Sequence, residues 1–410
     1  MGRLNVELYG ALLGTLSEKT NGFDFNADPN VFEKYPLFST IMSFSVPLSL
    51  RFTNIQKRRA NNFFSELLPE GQNADWIARS LPFSERTPYN ILRKYGKDTT
   101  GALVIYDPDD PASSEKARSE KIDRKKIRAL LENMQWEALA NSPVSGKTSL
   151  GGVQGKIVLA KKGTSWYRAH YGCPSTHILK PVVPEYPTMI YDEAFCMQLA
   201  HRAGLTDHPV WIETFDGADA LVIERYDRNR NIIGERIHQE DFNQALGACG
   251  NEKYQEYGGK VSAKRIAQTF ARYGSDEDVK IFAAGLIFAV AIGNLDMHAK
   301  NVSVLHMPDE SARIAPVYDQ VPLKHQNTDG RMALAIGGEY VHANITLASI
   351  VSELASWGCT CFSNEIDTIA FIKARLSSYG DALGNQPLHE KAYPLLKEDI
   401  SSFIKKLLTP

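Results

Sequence analysis

The sharpest chemistry in the chain lies in residues 293–301, GNLDMHAKN, where Asp296 and Asn301 stand five residues apart with His298 and Lys300 between them. An aspartate and an asparagine at that spacing suit phosphoryl transfer. The carboxylate orients or deprotonates an attacking hydroxyl, and the amide oxygen takes a divalent cation. Downstream, residues 302–306 read as a short strand, 307–312 as a turn through Pro308, and 313–318 as a second strand ending at Asp319. Such a hairpin brings Asp319 back beside Asn301. A carboxylate and an amide oxygen are hard ligands, which suit Mg²⁺ shared with nucleotide phosphates. His298 has no second His or Cys at ligand spacing, so it is expected to brace the loop through its ring nitrogens rather than bind metal.

A nucleotide needs a second set of groups, and the strand-rich middle of the chain supplies them. SLGGVQGKI, residues 149–157, places three glycines before a β-branched strand, so that backbone N–H groups can approach phosphates closely. Only the second half of a G-x-G-x-x-G-x-V loop is present, with Leu150 at the first glycine's place, and alone it is a weak signal beside an ordinary hairpin turn. Lys180 ends the apolar run THILKP. An apolar strand seldom buries a lysine without a charge partner, and Glu193 on the following helix is the expected one, with Asp192 and Glu185 as competitors. Gly146-Lys147-Thr148 imitates the end of a Walker A loop. Asn141 replaces its first glycine, Pro143 interrupts it, and residues 121–140 upstream read as a charged helix where a strand is required.

These groups require particular elements to hold them. Residues 281–293 form the longest apolar run, well short of the roughly 18–20 residues of a membrane span, so a buried core helix is expected to deliver the 293–301 loop. Ser275 to Asp278 offers that helix a capping box. Between residues 148 and 228 the order reads strand, strand, helix, strand, with the helix at 190–203. At the start, residues 3–25 alternate apolar and polar positions around Gly10, Gly14 and Asn21-Gly22, which predicts short antiparallel strands, and 58–68 predicts a helix stopped by Pro69 and Gly71. Residues 108–128 are polar and read as a linker. From Gln239 onward nearly everything reads helical, including 238–249, 263–273, 276–293 and 391–408. The division expected is an N-terminal α+β subdomain at 1–110, a linker and helix at 111–145, a nucleotide-binding subdomain at 146–237 and a helical catalytic domain at 238–410.

Composition excludes several classes. The chain has 410 residues, 43% hydrophobic and 23% charged, which is ordinary for a folded protein and unlike collagen, disorder or coiled coil. Lys and Arg total 46 against 48 Asp and Glu, so the net charge of −2 advertises neither nucleic acid nor a membrane surface. The five cysteines form no C-x-x-C pair and no zinc-finger spacing, which indicates reduced thiols. The start MGRLNVE lacks the pattern of a secretory signal, and a cytoplasmic location is expected.

In order and spacing, SLGGVQGK, THILKP, DEAFCMQLA, VIERYDR, HQEDFNQALG, GNLDMHAKN and PVYDQ closely resemble the motifs of the HipA-type serine/threonine protein kinases, the toxin halves of bacterial toxin–antitoxin pairs. The resemblance runs from VELYGALLGTL and FFSELLPEG to the C-terminal helices. It implies an α+β, protein-kinase-like two-lobe fold with an added N-terminal α+β subdomain and an all-helical C-terminal lobe. It implies Asp296 as catalytic base, Asn301 and Asp319 as Mg²⁺ ligands, and Lys180 on the ATP phosphates. Gly151, Gly152, Val153, Gln154, Gly155 and Lys156 would cover the nucleotide, and the backbone of Glu224, Arg225 and Tyr226 would hold the adenine. His298, Lys300 and Tyr318 would complete the cofactor's surroundings. Ser149 would be the family's autophosphorylated serine, whose modification ejects the loop; added negative charge in a loop built for phosphates repels ATP. Gly155 departs from the family, which often carries a Glu there, and makes the loop more flexible. The implied partners are an aminoacyl-tRNA synthetase as substrate and a helix-turn-helix antitoxin that makes most of the contact with operator DNA, with no membrane involved. A non-catalytic corepressor scaffold is the alternative from another class, against which the intact Lys180, Asp296, Asn301 and Asp319 argue. A lipid or small-molecule kinase is the alternative within the enzymes.

Overall fold

The computed structural model describes residues 2–20, 22–111, 114–141, 145–150, 154–229, 231–232 and 235–409. Alternation at the start of the chain produces the expected antiparallel strands β1 (Arg3–Leu8), β2 (Ala11–Lys19) and β3 (Gly22–Ala27). Leu4, Val6 and Leu8 point inward and are fully buried. Helices α1 (Asn54–Ser65), α2 (Gly71–Arg79) and α3 (Pro88–Tyr95) follow, and β4 (Val104–Tyr106) completes a sheet of order β3-β2-β1-β4. A capping box between Thr53 and Gln56 starts α1, whose Phe63 and Phe64 pack on this sheet.

The second sheet explains how Lys180 is placed. It comprises β5 (Arg118–Ile122), β6 (Ile157–Lys162), β7 (Ser165–His170), β8 (His177–Pro181), β9 (Val210–Phe215) and β10 (Ala218–Glu224), in the order β5-β7-β6-β8-β10-β9. Helix α4 (Arg124–Glu132) covers one face through Ile127, Leu130 and Leu131, against Leu179, Ala220 and Val222. Helix α5 (Met189–Arg202) covers the other through Ile190, Ala194 and Met197, against Leu221. Because strand neighbours alternate faces, Lys180, paired with Leu221, falls on the α5 side.

The rest of the chain comprises β11 (His238–Asp241), α6 (Phe242–Ala245), α7 (Ala263–Tyr273), α8 (Asp276–Ile292), β12 (Ser303–His306), β13 (Ala312–Ile314), β14 (Arg331–Ile336), β15 (Glu339–Val341), α9 (Leu347–Ser356), α10 (Glu365–Gly384) and α11 (Leu396–Leu408). From Ile281 onward helix α8 is apolar on every side, and it lies in the largest core, against Phe270 of α7, Trp357 after α9, Tyr379 of α10 and Phe403 of α11. The expected capping box joins Ser275 and Asp278, and Gly293 ends the helix at φ 71°, a left-handed position that favours glycine. No helix among the described residues is long and apolar enough to cross a membrane.

The class is α+β as expected, with four differences in detail. Residues 118–122, taken for linker, form the edge strand β5, whose charges face water on an uncovered margin. Residues 238–249, taken for helix, begin as β11, because Glu240 finds Ser43 Oγ at 2.6 Å, the Phe44 N–H at 2.7 Å and His306 Nε2 at 3.0 Å. The C-terminal lobe is therefore not all-helical: β11, β12 and β13 form one small sheet and β14 and β15 another. The last helix also starts later than residue 391, beyond Pro394, which disfavours helical geometry before it.

Candidate active site

Helix α8 delivers the polar loop, and the loop braces itself. The Asp296 N–H donates to Asn294 Oδ1 at 3.1 Å, and Asn301 Nδ2 donates to the Asp296 carbonyl at 2.9 Å. The part-buried Asp296 carboxylate accepts from the Tyr254 hydroxyl at 3.1 Å. Burial and the neighbouring charge of Asp319 push its pKa up to about 6.

Strands β12 and β13 pair as the expected hairpin, though β13 ends at Ile314 and residues 315–319 continue without a ladder. Asp319 sits at φ 55°, left-handed geometry that aspartate tolerates better than most residues. Asn294 Nδ2 reaches the Asp319 carbonyl at 3.3 Å. Lys180 Nζ donates to Asp319 Oδ1 at 2.7 Å and to the two oxygens of Glu193 at 2.8 and 3.0 Å. Glu193 is thus the partner of Lys180, whereas Asp192 accepts from the Tyr393 N–H at 2.7 Å. Burial favours the neutral amine of Lys180, but Asp319 and Glu193 outweigh it and hold the pKa above the usual lysine range. Lys156 is a second buried ammonium; burial, then repulsion from Lys180, lowers it to about 8.

The remaining expected residues divide. Gly151, Gly152 and Val153 lie outside the described residues. The Gln154 carbonyl accepts from Asn73 Nδ2 at 2.8 Å, and Gly155 faces Met134. The N–H groups of Glu224 and Arg225 are already bonded to the carbonyls of Pro209 (3.1 Å) and Thr176 (2.9 Å). The Arg225 side chain turns into the interior, where it pairs with Asp227 at 2.7 Å. Tyr226 packs against Tyr318 with ring centres 5.4 Å apart. Tyr318 supports the loop from below, its hydroxyl 2.7 Å from the Lys300 carbonyl. Lys300 is held by three carboxylates, none of them a partner of Lys180: Glu66 at 2.5 Å, Glu70 at 3.1 Å and Asp241 at 3.3 Å. His298 is buried and, mainly for that reason, its pKa falls to about 4, so the ring is neutral. Its Nδ1 has no hydrogen-bond partner among the described residues.

Ser149 is fully buried, with Oγ donating to the Leu67 carbonyl at 3.0 Å and N–H to the Asp98 carbonyl at 3.0 Å. Asp98 also accepts from Thr148 Oγ1 at 3.2 Å and pairs with Arg228 at 2.9 Å, which fastens the start of the glycine loop to the N-terminal sheet and helices. Sequence reasoning missed Tyr254, Glu66 and Glu70. Tyr254 lies 42 residues before Asp296 in a mixed aromatic and charged stretch, and no local spacing joins the two.

A family model described as HipA-like C-terminal domain matches residues 148–372, and one described as HipA N-terminal domain matches residues 4–106. A Sinorhizobium fredii protein named as a kinase, Y4mE, is 31% identical over 350 residues, 82% of this chain and 80% of that protein. The serine/threonine-protein kinase toxin HipA of Shewanella oneidensis is 29% identical over 299 residues, 68% of this chain and 66% of that protein. HipA in the solved Shewanella oneidensis MR-1 complex of HipA, HipB and operator DNA has a similar fold, with a TM-score of 0.81 over 99% of this chain and 97% of that one at 23% identity.

Proposed function

The chain belongs to the HipA family of kinases, and from that premise we propose that it is a serine/threonine protein kinase toxin of a type II toxin–antitoxin module. It transfers the γ-phosphoryl group of ATP to a Ser or Thr hydroxyl of a cellular protein, with an aminoacyl-tRNA synthetase as the expected target. The observation that carries this reading is the continuous chain Glu193–Lys180–Asp319, together with the loop in which Asn301 Nδ2 is bonded to the Asp296 carbonyl.

Each group then has a role. Lys180, oriented by Glu193, neutralises ATP phosphate charge. Asp296, with its proton affinity raised toward neutrality, orients the acceptor hydroxyl and takes its proton as the γ-phosphoryl leaves ADP. Asn301 and Asp319 would hold Mg²⁺. The donor set fits a hard cation: the Asn301 amide nitrogen is committed to the Asp296 carbonyl, which leaves its side-chain oxygen, and Asp319 keeps Oδ2 outside the Lys180 bond. When bound, that ion supplies charge neutralisation at the β- and γ-phosphates. Lys156 and the adjoining glycines cover the phosphates, and Tyr226 borders the adenine.

Ser149 is the proposed autophosphorylation site, and its sealed position means that the modified residue leaves its present pocket. A helix-turn-helix antitoxin and, through it, operator DNA are the proposed partners; the solved complex of the similar Shewanella protein supports this. The decisive experiment expresses the native chain and Asp296→Asn in bacteria, then reads growth and the phosphoproteome after a short pulse. Loss of both growth arrest and new phosphosites in a folded Asp296→Asn protein is expected; arrest by that variant would show that catalysis is not the toxic activity.

A further inference from the structure

Tyr254 has no part in the transfer scheme above, yet its hydroxyl stands 3.1 Å from Asp296 Oδ1. Its ring lies edge-on to His298 with centres 5.3 Å apart at 76°. The residues on either side are pinned. Lys253 Nζ donates to Glu70 at 2.9 Å, joining the segment to the loop that enters α2. The Gln255 N–H donates to the Ala333 carbonyl at 3.1 Å, and Gln255 Oε1 accepts from the Ala335 N–H at 3.0 Å, joining it to β14. Strand β14 is tied in turn to the catalytic loop, since the Ala333 N–H donates to the Leu295 carbonyl at 2.8 Å. Burial and the Asp296 charge raise the phenol's pKa, so the hydroxyl stays protonated and acts toward the carboxylate as a donor.

We propose that Tyr254 is a positioning residue for Asp296: it holds Oδ1 in a fixed hydrogen bond so that Oδ2 remains to receive the acceptor hydroxyl. The proposal rests on the reading of Asp296 as the base. A carboxylate torsion is broad and roughly two-fold, so an unheld Asp296 would spend much of its time with neither oxygen aimed at the acceptor. The anchors at Lys253 and Gln255 argue for a fixed orienting group and against a tyrosine that swings aside when substrate enters.

Tyr254→Phe removes the hydroxyl and keeps the ring against His298. The assay is Mg-ATP turnover by the full chain, read as ADP released, with Asp296→Asn run beside it. Turnover at saturation is expected to fall about tenfold, a fraction of what general base catalysis contributes. The ATP concentration for half-maximal rate should stay within about twofold of the parent's, because an interaction made only in the transition state lowers kcat alone. Loss of ATP affinity and of Tm together with the rate would indicate a merely structural role and overturn the proposal. An inactive Asp296→Asn beside a Tyr254→Phe that matches the parent overturns the role of Tyr254 alone. An Asp296→Asn that turns over like the parent removes the base assignment, and the positioning role with it.

Discussion

Replacing Lys180 with methionine separates what the buried ion pair does for folding from its proposed role toward ATP. Methionine keeps the aliphatic stem against Leu221 and deletes only the ammonium. That ammonium lies between a fully buried Glu193 and an Asp319 whose side chain is 39% exposed. Asp319 can turn to water for solvation; Glu193 cannot. Removing one partner of such a buried pair costs about 3–5 kcal/mol, and the exposed Asp319 arm adds at most about 1 kcal/mol. Burial already raises the Glu193 pKa even with Lys180 present, so its charge has no other support of this strength. Denaturant unfolding followed by circular dichroism measures the loss. In the double variant Lys180→Met with Glu193→Gln, the orphaned charge is gone at nearly constant shape, and at least half of the lost stability should return. Mg-ATP turnover should be absent from both. A single variant that unfolds at the parent's denaturant midpoint, or a double variant no more stable than the single, would refute the account of Lys180 and Glu193 as one buried electrostatic unit.

Two further outcomes follow from groups outside that pair. Burial, then the neighbouring His306, holds His238 down to about 3, so its ring is neutral in the fold, while in the unfolded chain it titrates near 6.5. The unfolded chain therefore binds a proton that the fold refuses. Stability falls as pH drops below 6.5, by about 2 kcal/mol for this residue at pH 5. His238→Gln should remove that share of the difference between unfolding midpoints at pH 7 and pH 5, and an unchanged difference would contradict the assignment. Ser149→Asp places a charge in a sealed pocket facing the Leu67 carbonyl, which the fold relieves by expelling the segment. Calorimetry should show Mg-ATP affinity reduced at least tenfold, whereas Ser149→Ala should lose about 1 kcal/mol of stability and keep its affinity; equal binding by both variants would refute a coupling between this pocket and the nucleotide.

The legible parts of the fold are those with local causes. An apolar run flanked by a capping box and a glycine stop marked α8, and the D-x-H-x-x-N spacing marked the loop it carries. The need of Lys180 for a counter-charge was readable from its apolar strand, and Glu193 lay one helix away. Residues 118–122 and 238–241 misled because a polar strand on an uncovered edge looks like linker, and one satisfied by distant partners looks like the start of a helix. The partners of Glu240 in the N-terminal region are 196 and 197 residues away.

Sequence alone determined which chemical groups the proposed site owns and in what order, because donor type and short spacing are written in adjacent residues. Tertiary structure decided which charges face one another. It turned Lys300 toward Glu66, Glu70 and Asp241, sent Arg225 inward to Asp227, and set the Tyr254 hydroxyl against Asp296. The physical reason is that ion pairing and desolvation depend on separation through space and on exclusion of water. Both are set when the sheets and helices pack together, whatever the distance along the chain.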